Sequence, residues 1–207
     1  MSRSKSSTRW LQRQSNDPYV AKAKAQGYRS RAVFKLEEIQ NKYHVIPGNQ
    51  LIVDLGAAPG AWCQFVIKHF PANFDQVIAL DVLPMDPLAG VQCIQGDFTE
   101  EDVLYELVQA VGSRKVGLVL SDIAPNISGN KAIDQPKSMY LAELALDFAR
   151  QHLTSGGGMV VKLFQGEGYP EYLQACRSSF KQVNTFKPQA SRKQSKEMYA
   201  IAREFGV

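Results

Sequence analysis

Apolar residues along the chain form short strand-like segments that alternate with segments of helical periodicity. The strand-like segments predict seven strands, at 51–53, 77–80, 91–94, 116–120, 159–164, 183–186 and 198–201. Apolar spacings of three and four predict helices at 31–40, 62–70, 100–111, 136–152 and 171–180. This regular alternation predicts an α/β fold, doubly wound around a mostly parallel sheet.

Charged residues occur where the predicted strands end. They are Asp54, Asp81, Asp97, Asp122 and Lys162. Ligands of such folds bind outside the carboxyl ends of the strands, so these side chains predict one site at that edge. Lys162 lies inside an apolar run, and lysine is rarely buried without a partner.

The segment LIVDLGAAPGAW, residues 51–62, predicts a buried strand, a glycine turn and the start of a helix. Gly56 and Gly60 allow the backbone to turn sharply and to approach a ligand closely. Asp81 follows Gly60 by 21 residues, near the spacing at which an acid binds a ribose diol in nucleotide-binding folds. Ala58 departs from the G-x-G-x-x-G pattern of dinucleotide sites, which leaves an NAD-dependent oxidoreductase as the second choice.

S-adenosylmethionine suits this pattern better than a dinucleotide. Its adenosine offers a diol to Asp81 and an adenine to Asp97, and it has no pyrophosphate that needs a helix N-terminus. An acidic rim also favours its sulfonium cation. The three cysteines and three histidines are scattered without metal-ligand spacing, so we expect no metal site.

The net charge of +4 conceals an asymmetry. Residues 1–35 carry nine basic residues and one acid, a charge of +8, whereas the remainder carries −4. Aromatic residues lie among these charges, a combination that suits contact with RNA phosphates and bases. We therefore expect a single domain over residues 1–207 with a basic arm at 1–30. A solvated tail stays open as the other reading of residues 1–16.

Targeting signals are not evident in the sequence. No apolar run approaches the ~18 residues of a membrane span, and no apolar segment follows the basic first residues to complete a secretory signal. We expect a cytoplasmic protein that does not associate with membranes.

Five motifs together resemble those of the FtsJ family (RrmJ, RlmE), bacterial methyltransferases for a ribose 2′-hydroxyl of 23S ribosomal RNA. They are DLGAAPGAW (54–62), LDVLPMDP (80–87), QGDF (95–98), SDIAPNISG (121–129) and VVKLFQGEG (160–168). The resemblance extends from about Trp10 to Ile201. One departure is Ala61, where family members often have a second glycine.

The resemblance implies a Rossmann-like sheet of seven strands, the last antiparallel, and S-adenosylmethionine as the methyl donor. The catalytic residues that it implies are Lys35, Asp122, Lys162 and Glu197. The donor-binding residues that it implies are Gly60, Trp62, Asp81, Asp97 and Asp122. It also implies a uridine of 23S ribosomal RNA in the large ribosomal subunit as substrate. We expect the enzyme to be a monomer.

Methyl transfer to a hydroxyl requires alignment of the hydroxyl and loss of its proton. Lys162 is the candidate base. Burial and the second cation, Lys35, favour a neutral amine, whereas the carboxylates of Asp122 and Glu197 favour the ammonium form. Two roles therefore stay open for Lys162, as a base or as a group that orients the hydroxyl.

Other substrates and functions are compatible with parts of the sequence. Related enzymes modify transfer RNA or messenger RNA caps, and composition does not exclude those targets. An oxidoreductase is disfavoured by Ala58 and by the basic arm. An RNA-binding protein without catalysis is disfavoured because all four catalytic positions are filled. The basic segment at 192–196 is either a hairpin loop or a second contact for phosphate.

Overall fold

The computed structural model describes residues 17–73, 76–126 and 128–206; residues 1–16 of the predicted arm lie outside these ranges. The α-helices are α1 (Pro18–Ala25), α2 (Val33–Tyr43), α3 (Ala61–His69), α4 (Glu101–Val111), α5 (Lys131–His152) and α6 (Tyr169–Arg177). The strands are β1 (Leu51–Leu55), β2 (Val77–Asp81), β3 (Val91–Gln95), β4 (Val116–Ser121), β5 (Leu153–Phe164), β6 (Phe180–Phe186) and β7 (Glu197–Phe205). A 3₁₀ turn covers Pro71–Asn73.

All seven strands form one sheet in the order β3-β2-β1-β4-β5-β7-β6. The pairs from β3 to β5 are parallel, and β7 runs antiparallel to both of its neighbours. This topology confirms the predicted Rossmann-like fold with an antiparallel last strand. Strands β2 and β3 follow β1 on one side of the sheet, and β4 and β5 lie on its other side, so the topological switch point is between β1 and β4. Ligands of such sheets bind at this point.

Successive residues of the central strands pack on opposite faces of the sheet, as strand geometry requires. Val53 of β1 packs with the apolar residues of α4, α5 and α6, whereas its neighbour Ile52 packs with those of α1, α2 and α3. Both faces are covered, which explains why β1 and β4 are buried throughout and read as unbroken apolar runs.

Three local predictions differ from the structure. Helix α1 was not predicted, because it buries only Ala23 and so has no apolar stripe. The helix predicted to extend to 180 ends at Arg177, and Phe180 instead begins β6, where it pairs with Phe205. Strand β5 begins at Leu153, six residues earlier than predicted, because three glycines interrupt its apolar run.

Residues 17–30 of the predicted basic arm pack against the body of the protein. Tyr28 is buried, and its hydroxyl lies 2.6 Å from Nε2 of His69 at the end of α3. The side chain of Asp17 forms an ion pair with Arg31 at 3.0 Å. Among the described helices, none combines the length and the apolar character needed to cross a membrane.

Candidate active site

Four side chains meet at the carboxyl-terminal edge of β4 and β5. Nζ of Lys162 lies 3.1 Å from Oδ1 of Asp122. Nζ of Lys35 lies 3.1 Å from Oε1 of Glu197 and 3.7 Å from Oδ2 of Asp122. The structure therefore brings together all four residues that the family resemblance implies as catalytic, although they lie far apart in the sequence.

Strand register explains this convergence. In the β5–β7 pair, Lys162 is opposite Tyr199 and Phe164 is opposite Glu197. The alternation of strand side chains directs Lys162, Glu197 and Tyr199 to the face covered by α2. Helix α2 buries apolar residues on that face and presents Lys35 from its first turn. Asp122 directly follows β4, and its N–H donates to the Leu55 carbonyl at 3.2 Å.

Tyr199 belongs to the cluster, and the sequence analysis did not identify it. Its hydroxyl donates to Oδ1 of Asp122 at 2.6 Å and accepts a hydrogen bond from Nζ of Lys35 at 3.0 Å. The ring is fully buried and packs against Trp62. One signal was available, since Tyr199 alternates with Glu197 and therefore lies on the same face of β7.

The two lysines keep Asp122 ionised. Burial by itself raises the pKa of this carboxyl, but the charges of Lys162 and Lys35 and a hydrogen bond from Tyr199 outweigh burial, so the pKa is lowered. Burial, followed by the nearby carboxylates of Asp122 and Glu197, raises the pKa of Tyr199 well above its usual range. Tyr199 thus stays a neutral phenol that can donate to Asp122.

The glycine turn at 56–60 packs against two other segments. Gly56 and Gly60 have φ values of 75° and 97°, which favour glycine. A Cβ on Gly56 would lie 2.6 Å from Cγ1 of Ile123, and one on Gly60 would lie 2.8 Å from Sδ of Met85. The structure shows these glycines packed closely against the loops after β4 and β2, and their approach to a ligand stays a prediction.

Two adjoining cavities flank the glycine turn. The first, of about 110 Å³, is lined by Ala57, Ala79, Asp81, Leu83, Pro84, Met85, Cys93, Ile94 and Gln95. The second, of about 20 Å³, is lined by Ser30, Ala32, Asp54, Gly56, Ala57, Ala58, Pro59, Ala61, Trp62 and Asp122. Ala57 borders both cavities. The first lies at the end of β2, and the second reaches Asp122 of the lysine cluster, which is Lys35, Asp122, Lys162 and Glu197.

The candidate donor-binding residues differ in their placement. Asp81 lines the first cavity, and its carboxylate accepts hydrogen bonds from the N–H groups of Ala58 and Leu83, at 2.9 and 2.8 Å. Trp62 lines the second cavity while its Nε1–H donates to the Ala32 carbonyl. Asp97 borders neither of these two cavities; its Oδ1 accepts from the backbone and the hydroxyl of Thr99. Gly60 precedes α3, beside the second cavity.

Asp54 was predicted to lie at the ligand-binding edge of the sheet, and its side chain is buried there. Its Oδ2 accepts from Sγ of Cys63 at 3.1 Å, and its Oδ1 has no hydrogen-bond partner among the described residues. Burial raises the pKa of Asp54, the Cys63 hydrogen bond opposes this rise, and the charges of Asp122 and Asp81 add to it, so that the pKa is about 7. The second cavity therefore has a titratable group in its wall.

Comparison with known proteins identifies the family. Residues 28–205 match the model of the FtsJ-like methyltransferases. The chain is 51% identical to the ribosomal RNA large subunit methyltransferase E of Francisella tularensis subsp. novicida (strain U112), over 99% of each chain. It is 50% identical to the protein of that name from Legionella pneumophila (strain Corby), over the full length of both.

A solved structure agrees with this match. A ribosomal RNA methyltransferase of Plasmodium falciparum is 32% identical, with a TM-score of 0.76, over 86% of this chain and 98% of that one. By sequence and by structure, the chain belongs to the FtsJ-like methyltransferase family.

Proposed function

We propose that the protein transfers a methyl group from S-adenosylmethionine to a ribose 2′-hydroxyl of RNA, and that its target is a uridine of 23S ribosomal RNA in the large subunit. The observation that carries this proposal is the largely buried Lys35–Asp122–Lys162–Glu197 cluster, whose Asp122 lines the second cavity. The names of the bacterial relatives support the ribosomal target.

The first cavity suits the adenosine part of the donor. Asp81 offers carboxylate oxygens to a ribose diol, and Leu83, Met85 and Ile94 supply apolar walls for a base. The Leu83 side chain is 62% exposed and would be covered by such a base. Asp97 borders neither cavity, so it would contact the adenine only where the base extends out of the first cavity. The second cavity leads towards Asp122, where the acidic residues would favour a cationic group of the donor.

The chemistry assigned to the protein is alignment and proton removal. S-adenosylmethionine, when bound, supplies a methyl group activated by its sulfonium. Lys162 would contact the 2′-hydroxyl. Its Nζ is held by Oδ1 and the backbone carbonyl of Asp122, the residue that lines the second cavity. A neutral amine has two N–H groups for those acceptors and a lone pair for the hydroxyl proton.

An ammonium group at the same place would act differently. It has a third N–H, with which it would orient the hydroxyl oxygen, and the proton would then leave to water. A pH–rate profile separates these roles. A base gives a rate that rises tenfold per pH unit until the amine is neutral, whereas an orienting ammonium gives a rate that falls as it is deprotonated.

The exposed basic loop between β6 and β7 supports contact with RNA. Arg192, Lys193 and Lys196 are exposed, while Ala190 and Ser191 are buried and anchor the loop. The carboxylate of Glu38 on α2 also accepts from the N–H groups of Gln189 and Ala190, at 2.6 and 2.8 Å. The loop is thus fixed to the helix that carries Lys35, within reach of the same RNA segment.

The experiment compares 2′-O-methyl positions in ribosomal RNA from cells with and without the protein. We expect one uridine of 23S ribosomal RNA to lose its methyl group, and purified protein with labelled donor to restore it. Naked RNA and isolated large subunits are tested as separate substrates. Loss of methylation only in transfer RNA or in messenger RNA caps would contradict the ribosomal target. Binding of NAD but not of S-adenosylmethionine in calorimetry would contradict methyl transfer.

The proposed enzyme is a single catalytic domain that acts as a monomer in the cytoplasm. The shared sheet, with helices on both faces, supports one folding unit over the described residues. Light scattering at assay concentration tests the assembly state, and a mass of twice the 23.0 kDa of the chain would contradict the monomer.

A further inference from the structure

We propose that Arg29 is a positioning residue for the methyl donor, because its guanidinium fixes the loop at 82–88 against the glycine turn and so shapes the first cavity. This inference rests on the proposed function, which places the donor in that cavity. It assigns to Arg29 a role other than the contact with RNA that its place in the basic arm indicated.

The contacts of Arg29 join two separate segments. Its Nη1 donates to the carbonyl of Pro59, in the glycine turn, at 3.1 Å and to that of Asp86 at 2.8 Å. Its Nη2 donates to the carbonyl of Pro87 at 2.9 Å. The planar fork of arginine can serve three carbonyl groups at once, whereas the ammonium of lysine is a point charge on a flexible stem.

The glycine turn leaves room for the Arg29 clamp, which is the guanidinium together with the carbonyl groups of Pro59, Asp86 and Pro87 that it contacts. A Cβ on Gly60 would lie 3.0 Å from Nη1 of Arg29 and 2.8 Å from Sδ of Met85. Any larger residue at position 60 would therefore push against the clamp and against the loop that it holds. The bare backbone at Gly60 thus serves the packing of Arg29 as well as the turn.

Arg29 is itself held in place by α3. Its backbone N–H donates to Oε1 of Gln64 at 3.0 Å, and Nε2 of Gln64 donates to the Gly27 carbonyl at 2.8 Å. Tyr28, between them, is buried and bonded to His69. Helix α3 therefore fixes the backbone of residues 27–29, and the Arg29 side chain in turn fixes the loop at 82–88.

The loop that Arg29 holds forms part of the first cavity. Leu83, Pro84 and Met85 line it, opposite Asp81 and Cys93. The positive charge of Arg29 also reaches that far, since it lowers the pKa of the Cys93 thiol, although burial raises that pKa more. Release of the clamp would let the apolar wall move away from the donor while the lysine cluster stays intact.

The test uses the full-length protein with Arg29→Ala, Arg29→Gln and Arg29→Lys. Lys24→Ala is the matched control, because Lys24 is an exposed residue of the same arm and its loss changes the charge equally. Calorimetry with S-adenosylmethionine gives the donor Kd. Steady-state assays give kcat and the KM values for the donor and for RNA.

We expect Arg29→Ala to weaken donor binding about tenfold and to raise the donor KM equally, as for the loss of hydrogen bonds from a charged donor. At saturating donor, kcat should stay within about twofold of wild type, because the groups that contact the hydroxyl are untouched. Arg29→Lys should not restore donor binding, Arg29→Gln should restore part of it, and Lys24→Ala should leave it unchanged.

Two outcomes would overturn the inference. One is an unchanged donor Kd in Arg29→Ala together with weaker RNA binding, which would assign Arg29 to phosphate contact. The other is full restoration by Arg29→Lys, which would show that charge alone matters. Should wild-type protein fail to bind the donor, the proposed function fails instead, so the two failures are distinguishable.

Discussion

Asp122 holds Lys162 at two points, with its side chain and with its backbone. The Lys162 Nζ lies 3.1 Å from Oδ1 of Asp122 and also donates to the carbonyl oxygen of the same residue. Lys162 is 8% exposed, and Asp122, which holds its amine, lines the second cavity. Such a fixed amine is the arrangement that alignment of a hydroxyl requires.

Replacement of Lys162 by alanine should abolish methyl transfer without loss of binding. We expect a fall in rate of about 10²-fold to 10⁴-fold, the range for removal of a group that handles the proton. Donor and RNA affinities should change little. Lys181→Ala is the control, because Lys181 on β6 is 62% exposed and pairs only with Glu204 among the ion pairs described. Full transfer by Lys162→Ala would contradict the proposed role.

Tyr199→Phe should lower the rate of transfer while the fold is kept. The change removes the hydroxyl that bridges Lys35 and Asp122 but retains the ring that packs on Trp62. We expect about a tenfold loss of rate and a fall of about 1 kcal/mol in the free energy of unfolding. Single-turnover assays and urea unfolding measure the two effects.

Tyr172→Phe is the matched control for Tyr199. Tyr172 is also buried, and its hydroxyl donates to the Ala142 carbonyl at 3.0 Å on the opposite face of the sheet. Its loss should cost a similar free energy of unfolding without slowing transfer. Equal losses of rate in the two variants would show that Tyr199 acts only through stability.

Asp54 should make the protein less stable as pH rises. Its pKa is about 7 in the folded protein and about 4 when unfolded, so the folded state binds the extra proton between these values. The contribution of Asp54 to the free energy of unfolding therefore falls from pH 4 to 7 and then levels off. Asp54→Asn removes this dependence while Cys63, Asp81 and Asp122 remain around it.

Urea unfolding of wild type and Asp54→Asn at pH 5 and pH 8 measures this effect. At each pH the free energy of unfolding of wild type is subtracted from that of Asp54→Asn. We expect this difference to be about 2 to 3 kcal/mol larger at pH 8 than at pH 5. An equal difference at the two pH values would show that Asp54 is ionised in the folded protein at both.

Cys93 should report occupancy of the first cavity. It lines that cavity and is exposed, whereas the other two cysteines, Cys63 and Cys176, are buried. Iodoacetamide should therefore label one thiol per chain, and faster at higher pH because the thiolate is the reactive form. Burial raises the pKa of Cys93, so this increase continues to higher pH than for a free thiol.

S-adenosylhomocysteine at ten times its Kd should slow this labelling about tenfold, because only about a tenth of the protein stays free. Mass spectrometry of tryptic peptides follows the reaction, and Cys93→Ser should show no fast labelling. Labelling of Cys93 at the same rate in the presence of the ligand would mean that the ligand binds elsewhere.

The sequence alone determined the layers of this protein and the edge at which its site lies. Strands buried on both faces need apolar runs, and such runs predicted β1, β2, β4 and the second half of β5. The largely exposed strands β3 and β6 were predicted from segments that mix polar and apolar residues. The polar residues that end such runs must lie at one edge of a parallel sheet, which predicted Asp81, Asp122 and Lys162 near one another.

The tertiary structure decided which of these residues touch. Tyr199 reads as a core aromatic until the pairing of β5 with β7 places it opposite Lys162. Arg29 reads as one charge of a basic arm until the packing of residues 27–29 on α3 aims it at the loop after β2. Local pattern records the periodicity and burial of each segment, whereas these contacts depend on register and packing between segments distant in the chain, which no local pattern contains.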